Sequence, residues 1–348
     1  MELAWETRGA SVVLVVRRPA GGVAGNAAPA RVYPAGVLRD GRTPGAGPAM
    51  AGRWEAGPGP GEQVFVPRFP FLAATSYVVV AGPGQDGEPI SASIALPPVG
   101  GAPTTTVLGI EPAVAVVPRN LLRLHVRFSA PMSEGRAAGH VRLLRSTGEP
   151  VPGALLSLDP ELWDPQRRRL TVLLDPARIK RGLVPHREAG YPLVEGEVVR
   201  LAVDAGFPDA AGRGLRSGAE AAFEVGPDLR GLVRPARWRV DRPRAGSLDP
   251  LRLQFDRTLD RPLADRCIRL TGVPGTGAAS PDGASWRFDP AGPWAPGTVE
   301  VVVDPRLDDV AGNAVARPFD RDLSRPDDDP LDPDEVPAIR VTIAPAGD

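Results

Sequence analysis

In the segment LLRLHVRF (residues 121–128), Leu122, Leu124, Val126 and Phe128 alternate with Arg123, His125 and Arg127. A period of two belongs to a β-strand with one buried face, because successive side chains of a strand point to opposite sides. On this reading His125 lies on the outward, solvent-facing side. The segment PLRLQFD (250–256) repeats the alternation, and the short apolar run from Ser11 to Val16 is a third strand. No apolar run approaches the roughly 20 residues that a membrane-spanning helix needs.

The strands recur in a fixed arrangement. In WRFDPAGPWAPGTVEVVVD (286–304), Phe288, Pro290, Pro293, Trp294 and Thr298 stand at relative positions 0, 2, 5, 6 and 10. In VFVPRFPFLAATSYVVVAG (64–82), Phe65, Pro67, Pro70, Phe71 and Thr75 stand at the same offsets, ahead of a strand at 77–81. The middle third keeps the two ends of this pattern, Leu174 and Pro176, then Pro192 and Leu193 before a strand at 198–203. Between those ends lies an insertion, residues 177–191. Alternation stops at the Pro/Gly-rich stretches 96–106 and 225–235, which reads as two boundaries.

Each copy has the length, about 100–120 residues, and the short-strand texture of a sandwich of two antiparallel sheets. The expected fold is therefore all-β: three tandem Ig-like β-sandwiches at 1–103, 104–228 and 229–348, with one short helical insertion in the middle domain. Composition agrees, since Gly (40) and Pro (42) are abundant in the 348 residues and disfavour long helices. The third copy ends in an acidic, proline-rich linker (325–335) and a terminal strand, AIRVTI (338–343), placed to pair with an edge of that domain.

The strand LRLHVRF followed at once by SAPM (129–132), and the closing strand and turn VVVDPRLDDVAGNAV (301–315), resemble the bacterial Ig-like domains of the surface-layer protein (SbsA) type. The resemblance covers 105–225 well and 230–322 less fully, because FDRTLD (255–260) replaces the FSxPM pattern, and it is weak over 1–100. It implies a non-enzymatic module of an exported or cell-surface bacterial protein, located in the periplasm or on the cell surface. The start MELAWETRGASVVLVVRRP has no basic segment before its apolar run and so does not read as a signal peptide.

Two loops share a spelling, DAGFPDAAGR (204–213) and DPRLDDVAGN (304–313). As turns, they need Gly212 and Gly312 for a positive φ, and Asp209 and Asp309 to accept the N–H groups just ahead. As a calcium site, Asp304, Asp308, Asp309 and Asn313 offer too few oxygens for a cation that takes six to eight. The turn reading is preferred, and no metal or cofactor is expected.

Histidines 125, 140 and 186 are not clustered, and Cys267 alone forms neither an intramolecular disulfide nor a cysteine zinc site. Motifs for a serine elbow, a zinc protease or a phosphate loop are absent from the sequence, and no GxGxxG stands between a strand and a helix. Trp54, Trp163, Trp238, Trp286 and Trp294 recur near strand ends, as core residues or, more rarely, as sugar-stacking platforms. Basic residues (41) balance acidic ones (42), so no global field draws the protein to nucleic acid.

The insertion is where recognition could sit. It concentrates Arg178, Lys180, Arg181, His186 and Arg187 against one acid, Glu188. Two readings follow: a solvated cap on the open end of the sandwich, or a site for a carbohydrate or other anionic ligand. The expected function is a spacer, scaffold or adhesion-type binding module whose partner is another protein or a cell-envelope component.

Overall fold

The computed structural model describes residues 1–9, 11–17, 30–35, 38–39, 43–44, 49–59, 61–68, 70–83, 89–98, 100–332 and 338–345. Residue 99 of the first boundary and 333–335 of the acidic linker fall outside them. Strand accounts for 41% and helix for 9%, distributed over several separate sheets, so the fold class is all-β. Two compact units form. The first comprises Met1–Thr105, Ala130–Ser133 and Gly206–Arg216; the second comprises Thr106–Ser129, Glu134–Ala205 and Ser217–Asp348.

In the first unit, Glu2–Arg8 folds back on Ser11–Arg17, with Trp5 opposite Leu14. Ser11–Arg17 continues into a four-stranded antiparallel sheet with Glu62–Pro67 and Gly52–Ala56. A second sheet joins Arg31–Pro34, Ser76–Pro83 and Pro89–Ala95. Between them lie Leu14, Val16, Val32, Phe65, Phe71, Tyr77 and Val79, all buried. Trp5 meets Phe71 edge to face, ring centroids 4.8 Å apart, a preferred aromatic geometry.

The second unit contains four sheets. Val107–Glu111, Arg123–Phe128, Arg169–Leu173 and Leu162–Trp163 form one, and Val116–Pro118, Ala219–Gly226, Val198–Val203 and Val141–Arg145 another. Further along, Arg239–Asp241, Leu251–Gln254, Ser285–Pro290 and Gly275–Ala279 form a sheet opposite Ile268–Thr271, Gly297–Val303 and Ile339–Ile343. Leu251, Leu253, Trp286, Phe288, Val301, Val341 and Ile343 share a buried cluster between those last two sheets. The terminal strand thus pairs with Gly297–Val303 and completes a core.

The repeated aromatic position of the first and third copies has the same pairing in the structure. Phe65 lies opposite Leu14, Phe288 lies opposite Leu251, and the Leu174 N–H donates to the Leu122 carbonyl at 2.9 Å. The first and third copies thus share this pairing; in the middle copy, aligned through Phe128 and Phe255, Leu124 is the counterpart of Leu251 and lies opposite Val172, two residues before Leu174.

The insertion folds as two short helices, Pro176–Ile179 and Val184–Ala189, the first capped by Asp175 Oδ1 accepting from the Ala177 N–H at 2.9 Å. Helix also occurs outside it, at Ala137–His140 and Arg261–Cys267, which corrects the single-insertion expectation. The second is written locally: Asp260 Oδ1 accepts the Leu263 N–H at 3.0 Å and Pro262 stands in the first turn, a start signal that strand periodicity masks.

Candidate functional site

The polar face of Arg123–Phe128 does not face solvent. Arg123 Nη2 donates to Asp308 Oδ2 at 2.8 Å and its Nη1 to Asp260 Oδ2 at 3.4 Å. His125 is 6% exposed, with Nε2 2.9 Å from Asp260 Oδ2 and Nδ1 3.1 Å from Thr171 Oγ1. The surface-histidine expectation is therefore overturned. Alternation shows that a strand face is polar, but other protein polar groups satisfy that face as well as water does. Farther along the strand, Arg127 Nε lies 2.6 Å from Glu111 Oε1, which also accepts from Arg261 Nη1. Burial alone would push the Asp260 carboxyl up. The His125 bond and charge, Arg123 and the Leu263 N–H outweigh it and hold Asp260 below the usual carboxylate range.

Both Asp-rich loops are turns. Asp309 Oδ1 accepts from the Ala311 and Asn313 N–H groups at 2.9 Å each, and Asp209 Oδ1 accepts from Ala211 and Arg213 at 2.9 and 3.0 Å. Gly212 and Gly312 have φ of +77° and +84°. Bridges Met132–Asp209 and Leu259–Asp309 anchor the two loops alike. Each loop also packs on a segment far upstream. Within the first unit Gly212 stands against Ala73 and Ala74; within the second, Gly312 stands against Leu122. The repeated spelling therefore serves a turn that is also a packing surface.

Asp309 is fully buried, and burial raises its carboxyl to about 6 despite Asn313 and Arg257 Nη1 at 3.1 Å. A raised carboxylate contributes stability that is complete below its unfolded value near 4 and is lost as pH rises through about 6. Asp260, held low, does the reverse: its contribution is present above about 4 and lost as pH falls through its folded value. Between them, these two groups make the second unit most stable near pH 4, and Asp309 should weaken it by up to about 3 kcal/mol as pH rises from about 4 to about 6. Melting temperature against pH measures this. In Asp309→Asn the decline between about pH 4 and 6 should flatten, and an unchanged decline would exclude Asp309 as its source.

The carboxylate oxygens of Asp309 are already held by protein donors, Oδ2 by Asn313 Nδ2 at 2.9 Å and by Arg257. No group of three or more His, Cys, Asp or Glu side chains positioned for a metal occurs among the described residues. Addition of EDTA should leave the melting temperature unchanged. A fall of several degrees that calcium restores would replace the turn reading with a metal one.

The structure uses four of the five insertion cations internally. Arg178 donates from Nε to the Gly190 carbonyl (3.1 Å) and from its Nη atoms to those of Pro152 (3.0 Å), Ala189 (3.2 Å) and Tyr191 (2.9 Å). Lys180 Nζ sits 4.6 Å from the Phe319 ring centroid. Arg181 Nε donates to Asp320 Oδ2 at 2.9 Å. His186 Nδ1 bonds the Arg178 carbonyl and its ring meets Tyr191 edge to face. Arg187 is exposed, and its side chain has no hydrogen-bond or ion-pair partner among the described residues. The five do not converge on one cleft.

Sequence reasoning missed Tyr191, Asp228, Arg230 and Asp320. Arg230 bonds Asp228 Oδ2 at 2.7 Å, Asp320 Oδ2 at 2.7 Å and the Tyr191 hydroxyl, while Arg119 pairs with Asp228 and lies over the Tyr191 ring. Together with Arg181 they tie the insertion, the 226–230 stretch and the 320–322 segment into one polar cluster. No local pattern announces it, because its members come from four separated stretches. Among the tryptophans, Trp238, Trp286 and Trp294 are buried in the core, which removes them as sugar platforms.

The geometry defines an all-β protein of several separate sheets, antiparallel among the described residues except where Val116–Pro118 runs parallel to Ala219–Gly226. No family model matches the chain, and no curated protein matches it. Among solved structures it is similar to the eight N-terminal Ig domains of DSCAM, at 12% identity and TM-score 0.21, over 87% of this chain and 37% of that one. A multidomain titin fragment aligns at 11% and 0.19 over 91% and 95%, and the S-layer protein rSbsC at 10% and 0.17 over 93% and 57%. The chain thus spans less than two thirds of the DSCAM and rSbsC fragments. No described helix is long and apolar enough to cross a membrane.

Proposed function

We propose that the chain is a non-enzymatic spacing and scaffolding module of an exported or cell-surface bacterial protein, built of three Ig-like sandwiches at 1–103, 104–228 and 229–348, the later two of the SbsA type. The observation that carries the reading is the polar seam of the second unit. Arg123 and His125 on one strand bond Asp308 and Asp260, and Glu111 on the neighbouring strand, which also takes Arg127, pairs with Arg261; on this reading those bonds hold adjoining sandwiches at a fixed angle. A spacer needs such joints, since domain pairs joined by small unpaired surfaces swing freely. Its partner would be another protein or a cell-envelope component.

The alternative, a carbohydrate or anionic-ligand site on 177–191, rests on Arg187 and on Arg181 leaving Asp320. A deletion of residues 178–188 bridged by Gly-Ser separates the two. The spacer reading expects a lower melting temperature and unchanged binding to anionic glycans. Salt-sensitive glycan binding that the deletion abolishes without loss of stability would favour the alternative.

A further inference from the structure

We infer that the edge strand Gly275–Ala279 pairs with the same strand of a second copy, joining two sheets across a two-fold axis at Thr276. This goes beyond the spacer reading and does not depend on it. Gly275–Ala279 is the outer strand of its sheet and pairs only with Ser285–Pro290. The Ser280 N–H donates to Ser285 O and the Ala291 N–H to Pro274 O. Antiparallel bonding alternates along a strand, so Ala278 and Thr276 are the other residues bonded inward. The N–H and C=O groups of Gly275 and Gly277 therefore point outward, with no partner among the described residues. Pro290, which has no N–H to give, stands opposite Gly275.

Edges of this kind are normally blunted by charge, proline or short length. The corresponding edges elsewhere in the chain show these devices. Gly52–Ala56 carries Arg53 and Glu55, paired at 2.8 Å, and Leu162–Trp163 is two residues long just after Pro160. Gly275–Ala279 (GTGAA) has no charge and no proline within it; Pro274 directly precedes it, but at a position bonded inward, where its carbonyl accepts from Ala291. Its glycines are required from the core side: a Cβ at Gly277 would overlap Trp286, and one at Gly275 would overlap Phe288. The consequence is a backbone edge bare of side-chain bulk, with Thr276 and Ala278 exposed. At one end Asp265 Oδ1 takes the Ala279 N–H at 2.7 Å, which closes the edge there and limits pairing to the residues before it.

The occupant follows from this spacing. An open stretch with outward groups at two positions, two residues apart, is self-complementary in antiparallel sense. A two-fold axis through Thr276 sets Gly275 against the second copy's Gly277 and the reverse, using both outward donors and both outward acceptors of the two glycines. Thr276 then faces its own counterpart in a non-hydrogen-bonded pair, where Cα atoms lie about 4.5 Å apart and threonine pairs are favourable.

The test uses the full chain. Sedimentation across a concentration series should show a monomer–dimer equilibrium that Thr276→Lys with Ala278→Lys weakens about tenfold or more, because four like charges then meet at the axis. With Cys267, the only cysteine, replaced by alanine, Thr276→Cys should oxidise to a covalent dimer. Ala278→Cys should not, because this register sets residue 278 opposite residue 274 of the second copy. A chain that stays monomeric throughout the series overturns the inference. So does a dimer indifferent to the lysines, or equal cross-linking at 276 and 278.

Discussion

Replacing Gly312 by valine should destabilise the second unit by about 3–5 kcal/mol. Its φ of +84° is a backbone conformation that a β-branched residue adopts at a cost of about 1–3 kcal/mol. A Cβ there would also stand 2.5 Å from Leu122 Cδ2 and 3.1 Å from the Phe319 ring, so the loop would have to lift from the surface it covers. Overpacking of that kind adds about 1–3 kcal/mol. Gly153 is the control, since it has φ of +57° but a Cβ added there would meet no atom within 4 Å; alanine at that position should cost only about 1 kcal/mol. Urea unfolding followed by the fluorescence of buried Trp238, Trp286 and Trp294 reads both. Equal losses in the two variants would mean that the Asp-rich loop is a turn and nothing more.

The second large effect is expected at Asp260. Its carboxylate is buried and accepts from Arg123 and the Leu263 N–H, with His125 Nε2 2.9 Å away. Asp260→Ala leaves a half-buried guanidinium and an imidazole without their shared acceptor, and it uncaps Arg261–Cys267. Removing one partner of a buried pair costs about 3–5 kcal/mol, against about 1 kcal/mol for a lost cap alone. Asp260→Asn keeps an acceptor oxygen for the cap and should fall between. A double-mutant cycle with Arg123→Ala isolates the seam. A loss near 1 kcal/mol with no coupling to Arg123 would show that the carboxylate only caps the helix.

Much of this architecture is written locally. Strand alternation places Leu124, Val126 and Phe128 in the core, and the repeated offsets put Phe65 and Phe288 at one structural position. The Asp-Gly spelling of both loops encodes their turns, because a carboxylate two and four residues ahead of its donors and a glycine at positive φ are short-range requirements. Even the departure FDRTLD from FSAPM carries a signal: it sets Asp260 where the other copy has Ser133, and charge introduced beside a buried strand needs a partner.

Tertiary structure alone decided where the polar faces go. The identities of Arg123 and His125 specify hydrogen-bonding capacity, but Asp260 and Asp308 lie more than a hundred residues away, and only chain folding brings them within reach. The same holds for the insertion. Its sequence concentrates positive charge, while the fold delivers Asp320, Phe319 and a row of carbonyls that engage Arg181, Lys180 and Arg178. Periodicity is a property of one strand or helix and so can be read along the chain. Satisfaction of a polar side chain depends on what lies opposite it, and that is set by the packing of segments with no sequence relation to one another.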